Sequence, residues 1–239
     1  MAGWTGLLIT GWIGTPIHEI SHLIAALVSG HHIEEVKLFK PNPRTGSLGY
    51  IIHTYDPDNF YQSIIGNTLI PIAPFFGGAL AIYAVTYFLI PNFSIYSSFI
   101  PQSYQITAEN MLSIDSYFQL LDTIVNFYRD IINKIVATGL FSQWKFYAAT
   151  FLLVGITNHL SPSASDFNNF WTPFLTLIFF MIVLNIIILP FTKNSLSSID
   201  KISSYLLYLM PILLLALFVS IAGLVITYLF YLIYMIVRG

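Results

Sequence analysis

His18-Glu19-Ile20-Ser21-His22, an H-E-x-x-H pentad, lies inside Trp4 to Ser29, where Glu19 is the only ionisable residue besides the two histidines. On a helix, positions i and i+4 differ by about 40° of rotation, so both imidazoles leave one face a turn apart. That spacing lets two neutral ring nitrogens hold one Zn²⁺ ion, with the glutamate between them beside it to act as a base. A carboxylate at mid-membrane depth costs roughly 2.5–3.5 kcal/mol on insertion scales, so Glu19 needs a reason to be there. The pentad therefore predicts a chemistry and a location together: zinc-dependent hydrolysis within a bilayer.

Composition agrees with the location. Of 239 residues, 56% are hydrophobic and 8% charged, and the mean hydropathy is +0.75. Soluble domains carry about 25% charged residues, so the expectation is an integral, multi-pass membrane protein. A formal net charge of −2 leaves no basic footprint for nucleic acid. There is no cysteine, which removes disulfides, thiol nucleophiles and thiolate zinc sites. The first apolar stretch lacks a basic leader and carries the pentad, so it reads as a retained span rather than a cleaved signal.

The fold class expected is an all-α polytopic membrane protein, with about 20 apolar residues needed per crossing. Five spans are read, at about 4–29, 63–90, 140–160, 170–191 and 204–237, in one domain covering 1–239. Pro71, Pro74, Gly77 and Gly78 allow a kink and close helix contact in the second. Residues 35–55 alternate as a β-hairpin, with Val36 and Leu38 facing Leu48, Tyr50 and Ile52 across a Pro41-to-Gly46 turn region. Residues 114–136 have helical period. Ile114, Phe118, Leu121, Val125, Tyr128 and Ile132 fall on an apolar face, against Asp115, Asp122, Asn126, Arg129 and Asp130, which predicts an interfacial amphipathic helix. Lys37, Lys40 and Arg44 slightly favour a cytoplasmic hairpin over the face carrying Arg129, Lys134, Lys193 and Lys201.

A catalytic zinc takes three protein ligands and keeps a fourth position for water. Leu23-Ile24-Ala25-Ala26 after the pentad excludes the extended metzincin pattern. Glutamates occur only at 19, 34, 35 and 109, which leaves no thermolysin-like distal ligand in a span. Among the aspartates, only Asp166 closes a membrane segment, in Asn158-His159-Leu160-Ser161-Pro162-Ser163-Ala164-Ser165-Asp166. Spans one and three run parallel in this reading, which puts that motif at the depth of the pentad. The expected metal set is His18, His22 and Asp166, with Glu19 as catalytic base and His159 as the alternative third ligand. His31, His32 and His53 flank the hairpin and read as surface histidines.

The pentad in the first core span, the hairpin after it and an aspartate motif closing the third resemble the site-2 protease family of intramembrane zinc metalloproteases. Ile72-Ala73-Pro74-Phe75-Phe76-Gly77-Gly78 is similar to the family's small-residue-proline element, and the likeness runs from Gly14 to about Asp166. The resemblance is to the compact form of that family, in which no PDZ or CBS module is expected. Two departures stand out: Phe167 follows the aspartate where the family has glycine, and Gly77-Gly78 replaces the usual asparagine. Asn67 or Asn158 is the candidate substitute for that polar contact to the scissile peptide. The resemblance implies one Zn²⁺ per chain, transmembrane protein substrates, lipid surroundings and a cell membrane of prokaryotic type. The alternative reading is a zinc-binding pseudoprotease, or scaffold, that engages membrane helices without cutting them.

Overall fold

The computed structural model describes residues 2–90, 114–160, 170–188 and 210–238. The chain is mostly helical, with one two-stranded antiparallel sheet. In order come α1 (Ala2–Val28), β1 (His32–Lys37), β2 (Tyr50–Thr54), a π-helical turn (Tyr61–Gly66) and α2 (Asn67–Leu89). Then follow α3 (Ile114–Ala137), a 3-10 turn (Leu140–Ser142), α4 (Trp144–Asn158), α5 (Trp171–Ile188) and α6 (Met210–Arg238). The packing divides the chain into two compact units, 1–81 with 154–193 and 82–153 with 194–239.

Among the described residues, one helical stretch of the five expected spans, Tyr61–Leu89, is long and apolar enough to cross a membrane by length and composition, and the ends of the expected spans at 189–191 and 204–209 lie outside those residues. α1 has the length, but its glycines, threonines and pentad dilute its hydropathy. α4 has 15 residues, about 22 Å of helix against a hydrocarbon core of about 30 Å. The expected third span is thus interrupted at its start, where a 3-10 turn and Gln143 precede the helix.

The hairpin forms as its alternation predicts, though β1 starts earlier, at His32. Glu35 pairs with Ile52, Val36 with Ile51 and Lys37 with Tyr50, and a bulge separates Ile33 from Glu35. Its loop closes through Lys40 N–H to Leu48 O (2.6 Å), Asn42 N–H to Ser47 O (2.8 Å) and Gly46 N–H to Asn42 O (2.9 Å). Gly46 has φ 74°, the left-handed backbone this turn requires.

The first unit is built on close backbone approach. Small residues let helices draw together and gain van der Waals contact where the hydrophobic effect is weak. A Cβ at Gly14 of α1 would overlap the Gly155 carbonyl of α4 and stand 2.7 Å from His159 Cβ. One at Gly77 of α2 would overlap the Ser21 hydroxyl of α1. One at Gly78 would overlap Leu160, just after α4. In the second unit α3 buries Phe127 and Ile131, and the Tyr128 hydroxyl donates to Leu214 O of α6 at 3.0 Å. The apolar face expected of this helix is therefore split, because Phe118, Leu121, Val125 and Ile132 stay exposed.

Gly14→Ala forces α1 and α4 apart, so it is expected to lower the thermal unfolding midpoint, at an overpacking cost of about 1–3 kcal/mol. At Gly6 a Cβ meets nothing within 4 Å, so Gly6→Ala is expected to leave the midpoint unchanged or raise it. Unfolding of the two variants in detergent micelles checks the contrast.

Candidate metal centre

The pentad falls near the C-terminal end of α1, two residues after Pro16. Glu19 and His22 are 8% and 6% exposed, and His18 is partly buried. Ser21, on the same turn, donates to Ile17 O at 2.6 Å and leaves the pentad's face to the ring groups.

Each histidine is held by a main-chain carbonyl from a different segment. His18 Nδ1 lies 2.8 Å from His159 O, just past α4. His22 Nδ1 lies 2.7 Å from Ile70 O of α2. A carbonyl oxygen can only accept, so both rings donate from Nδ1, and a neutral ring held this way presents Nε2 as its basic nitrogen. The two Nε2 atoms face each other at 2.9 Å, with the ring planes 78° apart and centroids at 4.6 Å. Two Nε2 atoms brought this close can share one cation. The donor set suits zinc: two neutral imidazole nitrogens, each steadied by a hydrogen bond from its other ring N–H to a carbonyl.

Asp166 and the part of its motif from 161 onward lie outside the described residues, as does Glu109. Among the described residues, no group of three or more His, Asp or Glu side chains is drawn together in a metal-holding arrangement. His159, the alternative ligand, turns its ring elsewhere. Its Nε2 hydrogen-bonds Thr10 Oγ1 at 3.2 Å, two turns before the pentad, while its carbonyl serves His18. Of the two candidate asparagines, Asn67 donates to Ser63 O at 3.0 Å, and Asn158 is exposed at the end of α4.

The hairpin reaches the pentad. A Cβ at Gly49 would stand 2.9 Å from Glu19 Cγ and 2.8 Å from Lys37 O, so the chain entering β2 lies directly on the glutamate. Behind it is a polar network that sequence reading missed. His31 is 4% exposed, not a surface residue. Its Nε2–H donates to Gln62 O at 3.0 Å, which leaves Nδ1 to accept from His53 Nδ1 at 3.0 Å. Tyr55 stacks on the His31 ring at 5.1 Å. Gln62 then joins Gly30 O (3.0 Å) to Asp56 N–H (2.8 Å). The π turn stands where this ring inserts, for a Cβ at Gly66 would come within 2.5 Å of His31 Nε2. The apolar run around Ile64 gave no sign of it, and no local signal in the sequence could have found a contact between residues 31 apart.

Comparison with protein-family models, curated proteins and solved structures gave no match for this chain.

His53 has its pKa lowered from 6.5, first by burial and then by the neighbouring His31 and His22. With the folded pKa depressed, the unfolded chain binds the proton more tightly. The hairpin's stability is thus full above about pH 6.5 and falls as pH drops below it, through the folded pKa. His53→Gln is expected to flatten the fall of the unfolding midpoint between neutral and acid pH, measured against wild type in the same detergent.

Proposed function

We propose that the chain is an intramembrane zinc metalloprotease, hydrolysing peptide bonds in or near transmembrane segments of membrane protein substrates. The observation that carries this reading is the pair of Nε2 atoms facing each other at 2.9 Å, each ring locked from behind by a carbonyl. Neutral rings anchored this way turn both Nε2 atoms to one point, as two ligands of a single metal ion do.

His18 and His22 would hold the zinc, with Asp166 as third ligand. When bound, zinc supplies a Lewis acid that polarises the scissile carbonyl and makes water acidic near neutral pH. Glu19, buried beside the pair, takes the proton of the attacking water and returns it to the leaving amine. A substrate helix must unwind to be cut, and an extended segment can add as a strand to the hairpin edge. Gly49 keeps that hairpin in contact with Glu19, which would bring the extended segment next to the base. The multi-pass reading belongs to the same proposal: α1, α5 and α6 join the α2 stretch in the bilayer, and the pentad's polar groups are tolerated because protein covers them.

Glu19→Gln keeps the ligands and removes the base. Zinc content is expected to match wild type, while cleavage of a membrane-embedded reporter falls by about 10²-fold or more. Cleavage undiminished in that variant would sink the protease reading. Zinc bound by wild type, with no zinc-dependent cleavage across a panel of membrane helices, would favour the pseudoprotease instead. Asp166→Ala is expected to lose zinc and His159→Ala to retain it, by metal analysis of the purified proteins; the reverse pattern would replace Asp166 as third ligand.

A further inference from the structure

Why Ile70 O is open to His22 follows from a residue one turn later. In an α-helix the carbonyl of residue i accepts from the N–H of residue i+4. The i+4 partner of Ile70 is Pro74, which has no N–H. Pro74 lies in the interior of α2 and is fully buried, less than 2% exposed. A helix-interior proline of this kind costs about 3 kcal/mol or more against alanine, so it stands out as a local sacrifice. The carbonyl it releases is the one that meets His22 Nδ1 at 2.7 Å.

We infer that Pro74 is a positioning residue for the metal centre: by withholding its N–H from Ile70 O, it reserves that carbonyl for His22. The His22 ring is thereby fixed as the Nδ1–H tautomer with Nε2 turned to His18. Pro74 touches neither substrate nor metal in this role and acts through Ile70 and His22. The second anchor follows the same logic by another route. His159 O lies beyond the last residue of α4, Asn158, so it too is drawn from outside a helical ladder. The other proline of α2, Pro71, releases the carbonyl of Asn67, which is not the acceptor of His22. It serves as the internal control.

This inference rests on the zinc reading for its consequence, but its first readout does not need the metal. The experiment compares four full-length proteins in detergent: wild type, Pro74→Ala, Pro71→Ala, and a protein with the α-hydroxy acid analogue of alanine placed at position 74 by nonsense suppression. The hydroxy acid has alanine's side chain and leaves the same gap in the packing, yet like proline it offers no N–H. Imidazole ¹H–¹⁵N spectra of ¹⁵N-histidine-labelled, zinc-free protein report the His22 tautomer, assigned by difference from His22→Asn. Competition with a chromophoric chelator reports zinc affinity.

Pro74→Ala is expected to lose the pure Nδ1–H signature of His22 and to bind zinc about 10- to 100-fold more weakly, the range for loss of an outer-shell partner. The hydroxy acid is expected to restore both, and Pro71→Ala to leave both as in wild type. Equal behaviour of Pro74→Ala and the hydroxy-acid protein, whether both impaired or both normal, would overturn the inference, because the N–H would then make no difference. Absence of zinc binding by wild type would instead overturn the zinc reading, with the tautomer comparison still deciding the role of Pro74.

Discussion

The centre depends on two hydrogen bonds, His18 Nδ1 to His159 O and His22 Nδ1 to Ile70 O. A helix brings two side chains at i and i+4 to one face, but it leaves their ring torsions and tautomers free. Two rings free to turn would pair Nδ1 with Nε2 and satisfy each other. Each carbonyl removes that option, since it admits only a donor. What is left is a pair of Nε2 atoms turned toward one point.

Such anchors need main-chain oxygens near α1 that secondary structure does not consume. Helices rarely offer them, because an interior carbonyl is spoken for by the N–H four residues on. Here one comes from the interior of α2 at a proline and the other from beyond the end of α4. Both must come within about 3 Å of a ring on α1, which requires tight helix approach. Gly14 against Gly155, and Gly77 against Ser21, provide it by omitting side chains where α1 meets its neighbours. The glycines and Pro74 thus bear on one geometry.

The hairpin is held with comparable specificity. His53, His31 and Gln62 form a chain of hydrogen bonds that ties the exit of α1 at Gly30 to the exit of β2 at Asp56. Strand pairing alone would leave a two-stranded sheet marginal. Fixed at its base by this network and seated on Glu19 at Gly49, the hairpin keeps a defined position over the pentad.

Much of this was legible from local pattern. The pentad's spacing gave two ring nitrogens on one face, the alternation of Val36, Leu38, Leu48, Tyr50 and Ile52 gave the hairpin, and the period of residues 114–136 gave α3. These rest on contacts between near neighbours in the chain, where side-chain identity and spacing decide the outcome. The buried state of His31 was not legible, because it depends on Gln62 and Gly66, about thirty residues away. Nor was the division of the apolar face of α3, which follows from what α6 covers at Tyr128 and Leu214. The sequence by itself determined that two histidines and a glutamate share one turn of a helix, since that is carried by residue type and helical period. Only the tertiary structure decided which nitrogen each histidine presents, because the choice is made by two carbonyls brought in from segments 48 and 141 residues away.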